Sequence, residues 1–272
     1  MTPTTTIDLE AVKRKQQAMW ASGDFGVIAS LIHIVAERLV DSVDPAAGSR
    51  VLDVAGGTGN AAIAAARCNC HVICTDYVPA LLDRGRERAR AEGLAIEFEP
   101  ADAEALPYAD GSFDVVLSVF GSMFAPDQPQ AAAELARVCR SGGLIGLASW
   151  TPQGLLGDVF RAQAEIVPPP AGVASPLRWG TEEGIAELLG SELETVTTRR
   201  RTFTWRFADA AAMVNTLRDW YGPTLKAFEA AGPEREAELE RALIAVVERG
   251  ARTREGAIAV PAEYLEVVAV RR

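Results

Sequence analysis

The chain has 272 residues, of which 49% are hydrophobic and 24% charged, as is typical of a globular protein with a sizeable core. Acidic residues outnumber basic ones by 37 to 27, for a formal net charge of −10. This charge disfavours partners made of nucleic acid or anionic lipid, and no apolar run is long enough to span a membrane.

The N-terminal region predicts two helices over residues 8–41, with a break at 22–24. In the second helix an apolar face recurs at helical spacing through Ile28, Leu31, Val35 and Leu39. We expect residues 1–42 to form part of a cap. The first fifteen residues lack the apolar segment of a signal peptide, which favours a cytoplasmic protein.

Strand-like and helix-like patterns alternate from residue 50 to residue 150. The predicted strands cover 50–55, 71–76, 94–99, 113–120 and 143–150, and the predicted helices cover 60–67, 79–93 and 130–140. Such alternation predicts a parallel, doubly wound α/β sheet. We assign residues 43–150 to this core.

The pattern becomes looser after Trp150. A proline run and a short helix predict a loop or lid over 151–180. The remaining predicted elements are helices over 181–190, 209–232 and 233–250, and strands over 192–207 and 262–272. Gly222–Pro223 is expected to break a helix. Residues 151–272 should therefore supply the rest of a mainly helical cap and the last two strands of the sheet.

A basic run and a cluster of cysteines each suggest a binding site, but each has a simpler structural explanation. The basic run at 199–201 lies in a predicted strand, where charged side chains on a solvated sheet edge explain it. Cys68, Cys70 and Cys74 crowd around His71, but neighbours on a strand alternate faces and do not converge on a metal. We expect no metal, reduced thiols, and all four cysteines, including Cys139, in the core.

The stretch VLDVAGGTGNAAIAAA, residues 51–66, joins the first predicted strand to an alanine-rich helix through a glycine turn. Residues 57–62 fit the G-x-G-x-x-A dinucleotide fingerprint, and Asp76 ends the next strand 19 residues after Gly57, where an acid would meet ribose hydroxyls. No Walker lysine follows the turn, which excludes a P-loop. These features alone leave an NAD(P)-dependent oxidoreductase open, although no Tyr-x-x-x-Lys motif accompanies them.

Two more acids narrow the choice of ligand. Asp53, two residues ahead of the turn, suits a ligand with an ammonium group better than a pyrophosphate. Asp102, followed by Ala103 at the end of the third predicted strand, can accept a hydrogen bond from an adenine amine. The alternatives are that Asp53 caps the next helix and that Asp76 is an ordinary turn residue.

Four motifs, VLDVAGGTGN, TDYVPALL, ADAEALPYADGSFDVVLS and RVCRSGGLIGLASW, follow one another over residues 50–150. Together they resemble the motifs of class I S-adenosylmethionine-dependent methyltransferases. They are most similar to the branch with the ubiquinone and menaquinone biosynthesis enzymes and many small-molecule methyltransferases. The resemblance implies a Rossmann-like seven-stranded sheet with the last strand antiparallel. It also implies S-adenosylmethionine at the carboxyl ends of the first four strands.

The resemblance further implies a set of cofactor-binding residues. Five surround the methionine portion, two the ribose and adenine, two the adenine edge and two the sulfonium side. In that order they are Asp53, Ala55, Gly56, Gly57 and Gly59; Asp76 and Tyr77; Asp102 and Ala103; Ser118 and Val119. Ala55 departs from the family, which usually has its first glycine there, and is small enough to be tolerated.

A hydroxyl acceptor often needs a general base, and histidine is the usual choice. His33 is the candidate if the N-terminal helices close over the site; otherwise it is a solvated or packed helix residue. Tyr221 and Asp24 are weaker candidates, and His71 begins its strand at the end away from the cofactor. An acceptor that is already partly ionised, or a free amine, would need no strong base.

The acceptor pocket is expected near the fourth and fifth strands and the cap. Its candidate residues are Phe120, Met123, Phe124, Trp150, Trp179, Trp220 and Tyr221, any of which could instead be core. They favour an apolar, aromatic or polyketide-like molecule of secondary metabolism.

We therefore predict a soluble methyltransferase, a monomer or homodimer, that acts on a small organic acceptor, with O-methylation favoured. The alternatives are a cofactor-assisted cyclisation, a binding subunit of the same fold, or a peptide acceptor.

Overall fold

The fold is built on one sheet whose central strands are the apolar runs of the sequence. The computed structural model describes residues 8–170 and 172–272. Its strands are β1 (Arg50–Val54), β2 (His71–Asp76), β3 (Ile96–Pro100), β4 (Phe113–Val119), β5 (Cys139–Trp150), β6 (Leu193–Phe207), β7 (Arg252–Arg254) and β8 (Ala257–Arg271). They lie in the order β3-β2-β1-β4-β5-β8-β6, with β7 paired to β8.

Strands β1 to β5 are parallel, and β8 is antiparallel to both β5 and β6. This confirms the predicted doubly wound α/β sheet with its last strand antiparallel. The three-residue β7 is an addition to the seven predicted strands, because so short a segment carries no periodic signal. The end of β3 also differs from the prediction: Asp102 and Ala103 lie beyond Pro100, in a turn where Asp102 bridges to Ala105.

Helices cover both faces of the sheet and its carboxyl edge. They are α1 (Leu9–Trp20), α2 (Phe25–Val43), α3 (Asn60–Arg67), α4 (Pro79–Ala91), α5 (Gln128–Val138), α6 (Leu155–Ile166), α7 (Glu182–Leu189), α8 (Ala210–Trp220) and α9 (Gly222–Gly250). Short 3₁₀ helices span Ser122–Phe124 and Pro176–Gly180. The predicted break at Gly222 separates α8 from α9, and a second break at Gly232 interrupts α9 before Pro233.

Helix α2 buries one face in the core, but the face differs by one residue from the predicted one. Ile28, Val35 and Leu39 are buried as expected, whereas Leu31 is 42% exposed and Ile32 takes its place. Leu31 lies roughly 100° of helix rotation from the centre of the buried face, so it points to solvent.

Within the described residues, no single helix is long and apolar enough to cross a membrane. Helices α1 and α2 meet the length and composition criteria as a pair, but they are bent by 92° relative to each other. The apolar face of α2 is packed in the protein core, which accounts for its composition.

The basic run and the cysteines occupy largely the expected environments. Strand β6 is the sheet edge, where Arg199 and Arg200 are exposed and Arg201 forms an ion pair of 2.7 Å with the buried Glu266. Three cysteines are buried, but Cys68 is exposed because it caps the carboxyl end of α3. Among residues 8–170 and 172–272, no cluster of acids, histidines and cysteines forms a metal site.

A ribbon of β6 and β8 projects beyond the carboxyl edge of the parallel strands, and β7 pairs with residues 257–259 of β8 at its far end. Strand β5 ends at Trp150 opposite Tyr264, whereas β6 and β8 continue to pair as far as Phe207 and Ile258. Because β8 begins at Ala257, five residues before the predicted start, the ribbon (residues 202–207 and 257–263) is longer than the sequence suggested. It carries aromatic side chains over the edge of the sheet.

The N-terminal and C-terminal parts of the cap meet where two turns pack backbone to backbone. A Cβ atom at Gly222 would lie 2.4 Å from the carbonyl oxygen of Met19, and one at Gly23 would lie 2.9 Å from that of Trp220. This close approach brings the rings of Trp20 and Tyr221 to a centroid distance of 5.7 Å. The cap is thus assembled from both ends of the chain, and the boundaries proposed at residues 42 and 150 stay a prediction.

We expect Gly222→Ala to destabilise the protein by about 1–3 kcal/mol, because the added methyl group forces the two turns apart. Gly250→Ala is the matched control, since a Cβ there meets only a side-chain methyl of Val260 at 3.7 Å. Guanidinium unfolding of both variants measures the effect. Equal stability of the two variants would show that the turns do not need the close contact.

Candidate active site

A cavity of about 900 Å³, including the part open to solvent, lies at the carboxyl ends of β1 to β4. Its walls come from the turn after β1, the loops after β2, β3 and β4, and helices α1 and α2. The lining residues include Lys13, Trp20, Phe25, Ala29, Ile32, Asp53, Ala55–Thr58, Asn60, Ala61, Asp76, Tyr77, Leu81, Ala101–Glu104, Val119–Ser122 and Phe124–Pro126.

Most of the residues expected to bind a cofactor line this cavity together. They are Asp53, Ala55, Gly56, Gly57, Asp76, Tyr77, Asp102, Ala103 and Val119. Gly59 and Ser118 are not among the lining residues. Gly59 precedes α3 with φ 80°, and the Ser118 hydroxyl donates to the Val54 carbonyl oxygen (2.8 Å) and accepts from the Ser122 N–H (2.9 Å). Both residues shape the loops behind the cavity.

The carboxylate of Asp53 is buried at the end of β1 with one oxygen unsatisfied. Its Oδ2 accepts a hydrogen bond from the Ala62 N–H at 2.9 Å, in the first turn of α3, whereas Oδ1 has no partner. Asp53 therefore caps α3 through one carboxylate oxygen, as the alternative interpretation predicted, and its other oxygen is left without a donor. Burial raises the pKa of Asp53 to about 7, the Ala62 hydrogen bond opposes that shift, and the charge of Asp76 adds to it.

Asp76 is buried at the end of β2 and braces the glycine turn. Its Oδ2 accepts from the Gly57 N–H (3.0 Å) and its Oδ1 from the Val78 N–H (2.9 Å). Burial raises the pKa of Asp76 to about 6, and these backbone hydrogen bonds oppose the shift. Each carboxylate oxygen keeps lone-pair capacity for a further donor.

Ala55 adopts a backbone conformation that favours glycine, as its position in the motif suggests. Its φ is 50°, in the left-handed region, which costs about 1 kcal/mol for an alanine. The alanine is accommodated because position 121 is glycine: a Cβ at Gly121 would lie 2.3 Å from the Ala55 carbonyl oxygen and 2.8 Å from its Cβ. The turns after β1 and β4 therefore touch directly at the cavity floor.

Helix α1 is tied to the cavity by an ion pair that the sequence did not indicate. The Lys13 ammonium lies 2.6 Å from Asp102 Oδ2 and 2.7 Å from Glu104 Oε2. Burial lowers the pKa of Lys13, but the hydrogen bonds to the two carboxylates outweigh burial and raise it above its usual range. Gln17, one turn further on, donates to the Tyr77 carbonyl oxygen at 2.5 Å. Helix α1 thus closes the side of the cavity near Tyr77 and Asp102.

A second, apolar chamber of about 330 Å³, including the part open to solvent, adjoins the first cavity. It is lined by Trp20, Phe25, Ile28, Ile32, Phe120, Phe124, Trp150, Leu156, Trp205, Leu217 and Tyr221. Five of these residues also line the first cavity: Trp20, Phe25, Ile32, Phe120 and Phe124. The two spaces therefore share one aromatic wall.

The chamber contains only part of the predicted acceptor pocket. Phe120, Phe124, Trp150 and Tyr221 line it, as the sequence suggested. Met123 and Trp179 are fully buried outside it, and Trp220 is 40% exposed at the end of α8. Three other lining residues were not predicted from the sequence. Trp20 and Phe25 owe their position to the packing of α1 and α2, and Trp205 comes from the projecting ribbon.

The structure removes His33 from the site. His33 is exposed on α2, and its Nδ1 contacts the Ser30 carbonyl oxygen at 2.7 Å, so the cap does not close over it. Asp24 is also committed elsewhere: Oδ1 accepts from the Gly26 N–H and Oδ2 pairs with Arg84. Neither can act as a general base in this arrangement.

Tyr221 does lie in the chamber, but its environment does not suit a base. The residue is 4% exposed and its hydroxyl has no hydrogen-bond partner. Burial raises the pKa of Tyr221 well above its usual range, so the phenol keeps its proton at neutral pH. It is equipped to donate a hydrogen bond to a bound molecule.

The raised pKa of Asp53 gives a stability test with a defined sign. The folded state holds the Asp53 proton more tightly than the unfolded state, so folding stability is lost as pH rises from about 4 to 7. Asp53→Asn should therefore stabilise the protein by about 2 kcal/mol at pH 8, less than the full shift implies because the amide leaves an N–H unpaired. The gain should shrink as pH falls to 4, as followed by guanidinium unfolding.

Asp114→Asn is the control of opposite sign. The hydrogen bond from Arg140 holds the pKa of Asp114 below its usual range, so this variant should lose stability at pH 8 and recover toward wild type in acid. If the stability gained by Asp53→Asn did not change with pH, the buried charge of Asp53 would not be the cause of the destabilisation.

Comparison with known proteins agrees with this geometry. Residues 51–143 match a family model described as a methyltransferase domain. The chain is 39% identical over 244 residues to an uncharacterised protein of Mycobacterium tuberculosis, with 88% of each chain covered. It is 42% identical over 127 residues to the demethylmenaquinone methyltransferase of Deinococcus radiodurans, covering 45% of this chain and 53% of that enzyme.

The fold is also found in solved structures. The YcgJ protein of Bacillus subtilis superimposes with a TM-score of 0.61 at 18% identity, over 88% of this chain and 99% of that one. These matches to methyltransferases favour S-adenosylmethionine over a dinucleotide as the ligand of the glycine turn. The chain belongs to the class I S-adenosylmethionine-dependent methyltransferases.

Proposed function

We propose that the chain transfers the methyl group to a hydroxyl of a small, neutral and largely apolar acceptor held in the apolar chamber. The observation that carries this proposal is the aromatic wall shared by the two spaces. A cofactor in the larger cavity and an acceptor in the chamber would be neighbours across Phe120 and Phe124. Such placement with exclusion of water is the main catalytic contribution that a methyltransferase has to make.

The residues of the larger cavity fit the parts of S-adenosylmethionine. The unpartnered Asp53 Oδ1 is suited to the ammonium of the methionine portion, because a buried carboxylate oxygen without a donor is costly. The Asp76 oxygens retain lone pairs for the ribose hydroxyls. We assign Tyr77, Asp102 and Ala103 to the adenine, with Lys13 holding the Asp102 carboxylate in place.

When bound, S-adenosylmethionine supplies a methyl group activated by its sulfonium sulfur. The chain's own residues then have to hold the acceptor oxygen in position and keep water out. The described lining of the chamber is aromatic and aliphatic, which serves both needs. Val119, at the end of β4, lies on the cavity side of this wall and is assigned to the sulfonium end.

The composition of the chamber favours oxygen over nitrogen as the methylated atom. Tyr221 is the sole side chain with an ordinarily titrating group among the chamber's lining residues, and it stays protonated. A protonated amine would lose its hydration there without gaining a carboxylate partner. A hydroxyl that ionises readily by itself needs neither a partner nor a base.

The same lack of a base keeps the cyclisation alternative in view, because a rearrangement driven by binding needs no proton acceptor. Product analysis separates the two functions. Consumption of the cofactor with a gain of one methyl group supports transfer, whereas an isomerised product with the cofactor unchanged supports cyclisation. The cytoplasmic setting, the role in secondary metabolism, the absence of nucleic acid and membrane partners and the monomeric or homodimeric state all remain predictions, and a peptide acceptor stays an alternative.

Calorimetric titration with S-adenosylhomocysteine tests the cofactor site. Asp76→Asn should weaken binding about 10- to 100-fold, because hydrogen bonds to a charged group are lost. Asp114→Asn should bind S-adenosylhomocysteine like the wild type, because Asp114 lies at the amino end of β4, away from the cavity. NADH should not bind to the wild type. Tight binding of NADH, or an unchanged affinity in Asp76→Asn, would contradict the assignment.

Methyl transfer from labelled S-adenosylmethionine to 1-naphthol, 1-naphthylmethylamine and 1-naphthoate tests the acceptor class, because the amine is protonated and the acid is ionised at neutral pH. We expect label in the naphthol product, little in the amine, and none in the acid, whose charge the chamber cannot satisfy. Transfer to the amine at a rate equal to that of the naphthol would contradict the preference for oxygen.

A further inference from the structure

Two residues that line the apolar chamber carry hydrogen-bond donors without partners. The hydroxyl of Tyr221 and the indole N–H of Trp205 are fully shielded from solvent, and neither has an acceptor within reach. Both residues are 4% exposed and come from separate parts of the fold, the α8–α9 junction and the projecting ribbon. Two independent elements therefore each place a residue with an unpartnered donor in the wall of one otherwise apolar space.

An unpartnered buried donor is not by itself a binding site. Trp179 and Tyr264 also carry buried polar atoms without partners, yet neither lines either cavity. Tyr221 and Trp205 differ because both line a chamber that shares an aromatic wall with the larger cavity. A buried donor left unsatisfied is unfavourable, so a ligand that satisfies these donors binds in preference to one that cannot.

The chemistry of the two groups limits the ligand that fits. An indole N–H can only donate, and a phenol that keeps its proton also donates. The chamber's lining residues include no lysine, arginine or histidine to balance an anionic group. The complementary group is therefore a neutral oxygen with lone pairs on an otherwise apolar body.

We propose that the acceptor carries a carbonyl oxygen that accepts hydrogen bonds from Tyr221 and Trp205. This inference rests on the proposed function, and it names the class of acceptor: hydroxy-ketones and related conjugated carbonyl compounds. A hydroxyl conjugated with a carbonyl group loses its proton to water far more readily than a simple alcohol. Such an acceptor therefore needs no general base, in agreement with the side chains of the chamber.

The test compares two ligands of the same shape, 2-acetonaphthone and 2-isopropenylnaphthalene, which differ in having C=O or C=CH₂. Each is measured by equilibrium dialysis against the full chain saturated with S-adenosylhomocysteine. We expect the wild type to bind the ketone about fivefold more tightly than the hydrocarbon, as one net hydrogen bond provides. Tyr221→Phe and Trp205→Phe should each reduce this ratio, and the double variant should bring it near one.

Tyr264→Phe is the matched control, since it removes a buried hydroxyl outside both cavities and should keep the wild-type ratio. Retained affinity for S-adenosylhomocysteine shows that each variant is folded. A ratio of one in the wild type, a ratio unchanged in both single variants, or no binding of either probe would overturn the proposal. Failure of S-adenosylhomocysteine itself to bind would count instead against the cofactor site.

Discussion

The site depends on two carboxylates buried at neighbouring strand ends. Asp53 and Asp76 lie in adjacent parallel strands, and backbone N–H groups from the glycine turn and α3 hold their oxygens in place. Burial raises the pKa of both carboxyl groups, and the charge of Asp76 raises that of Asp53 further, so the arrangement is unfavourable for the empty protein. A ligand that brings a cation and hydroxyl donors to these two carboxylates would reduce this cost.

The second requirement is that helices from both ends of the chain converge above these carboxylates. Glycine at positions 23 and 222 lets two turns pack closely, and the contact places Trp20 against Tyr221. Lys13 fastens the other end of α1 to Asp102 and Glu104. The larger cavity and the chamber therefore form together, because α1 supplies a wall to both.

The sequence predicts the lining of the larger cavity far better than that of the apolar chamber. Asp53, Asp76 and the glycine turn occupy fixed places in a continuous motif, where local spacing decides position. The chamber depends instead on how distant segments pack. Trp205 is 55 residues beyond Trp150 in the chain, and only the length of the β6–β8 ribbon brings it to the chamber. Helical periodicity likewise does not indicate which face the cap covers, and His33 lies on the exposed face of α2.

The ribbon of residues 202–207 and 257–263 has a consequence for how acceptor choice can change. It continues beyond β5, and its β6 strand alternates between buried and more exposed side chains, with Trp205 in the wall of the chamber. A single inserted residue after Arg201 would turn Trp205 outward and bring an arginine or threonine inward. On the proposed function, new acceptor preferences can evolve, or be engineered, in this ribbon while the carboxylates and the glycine turn stay unchanged.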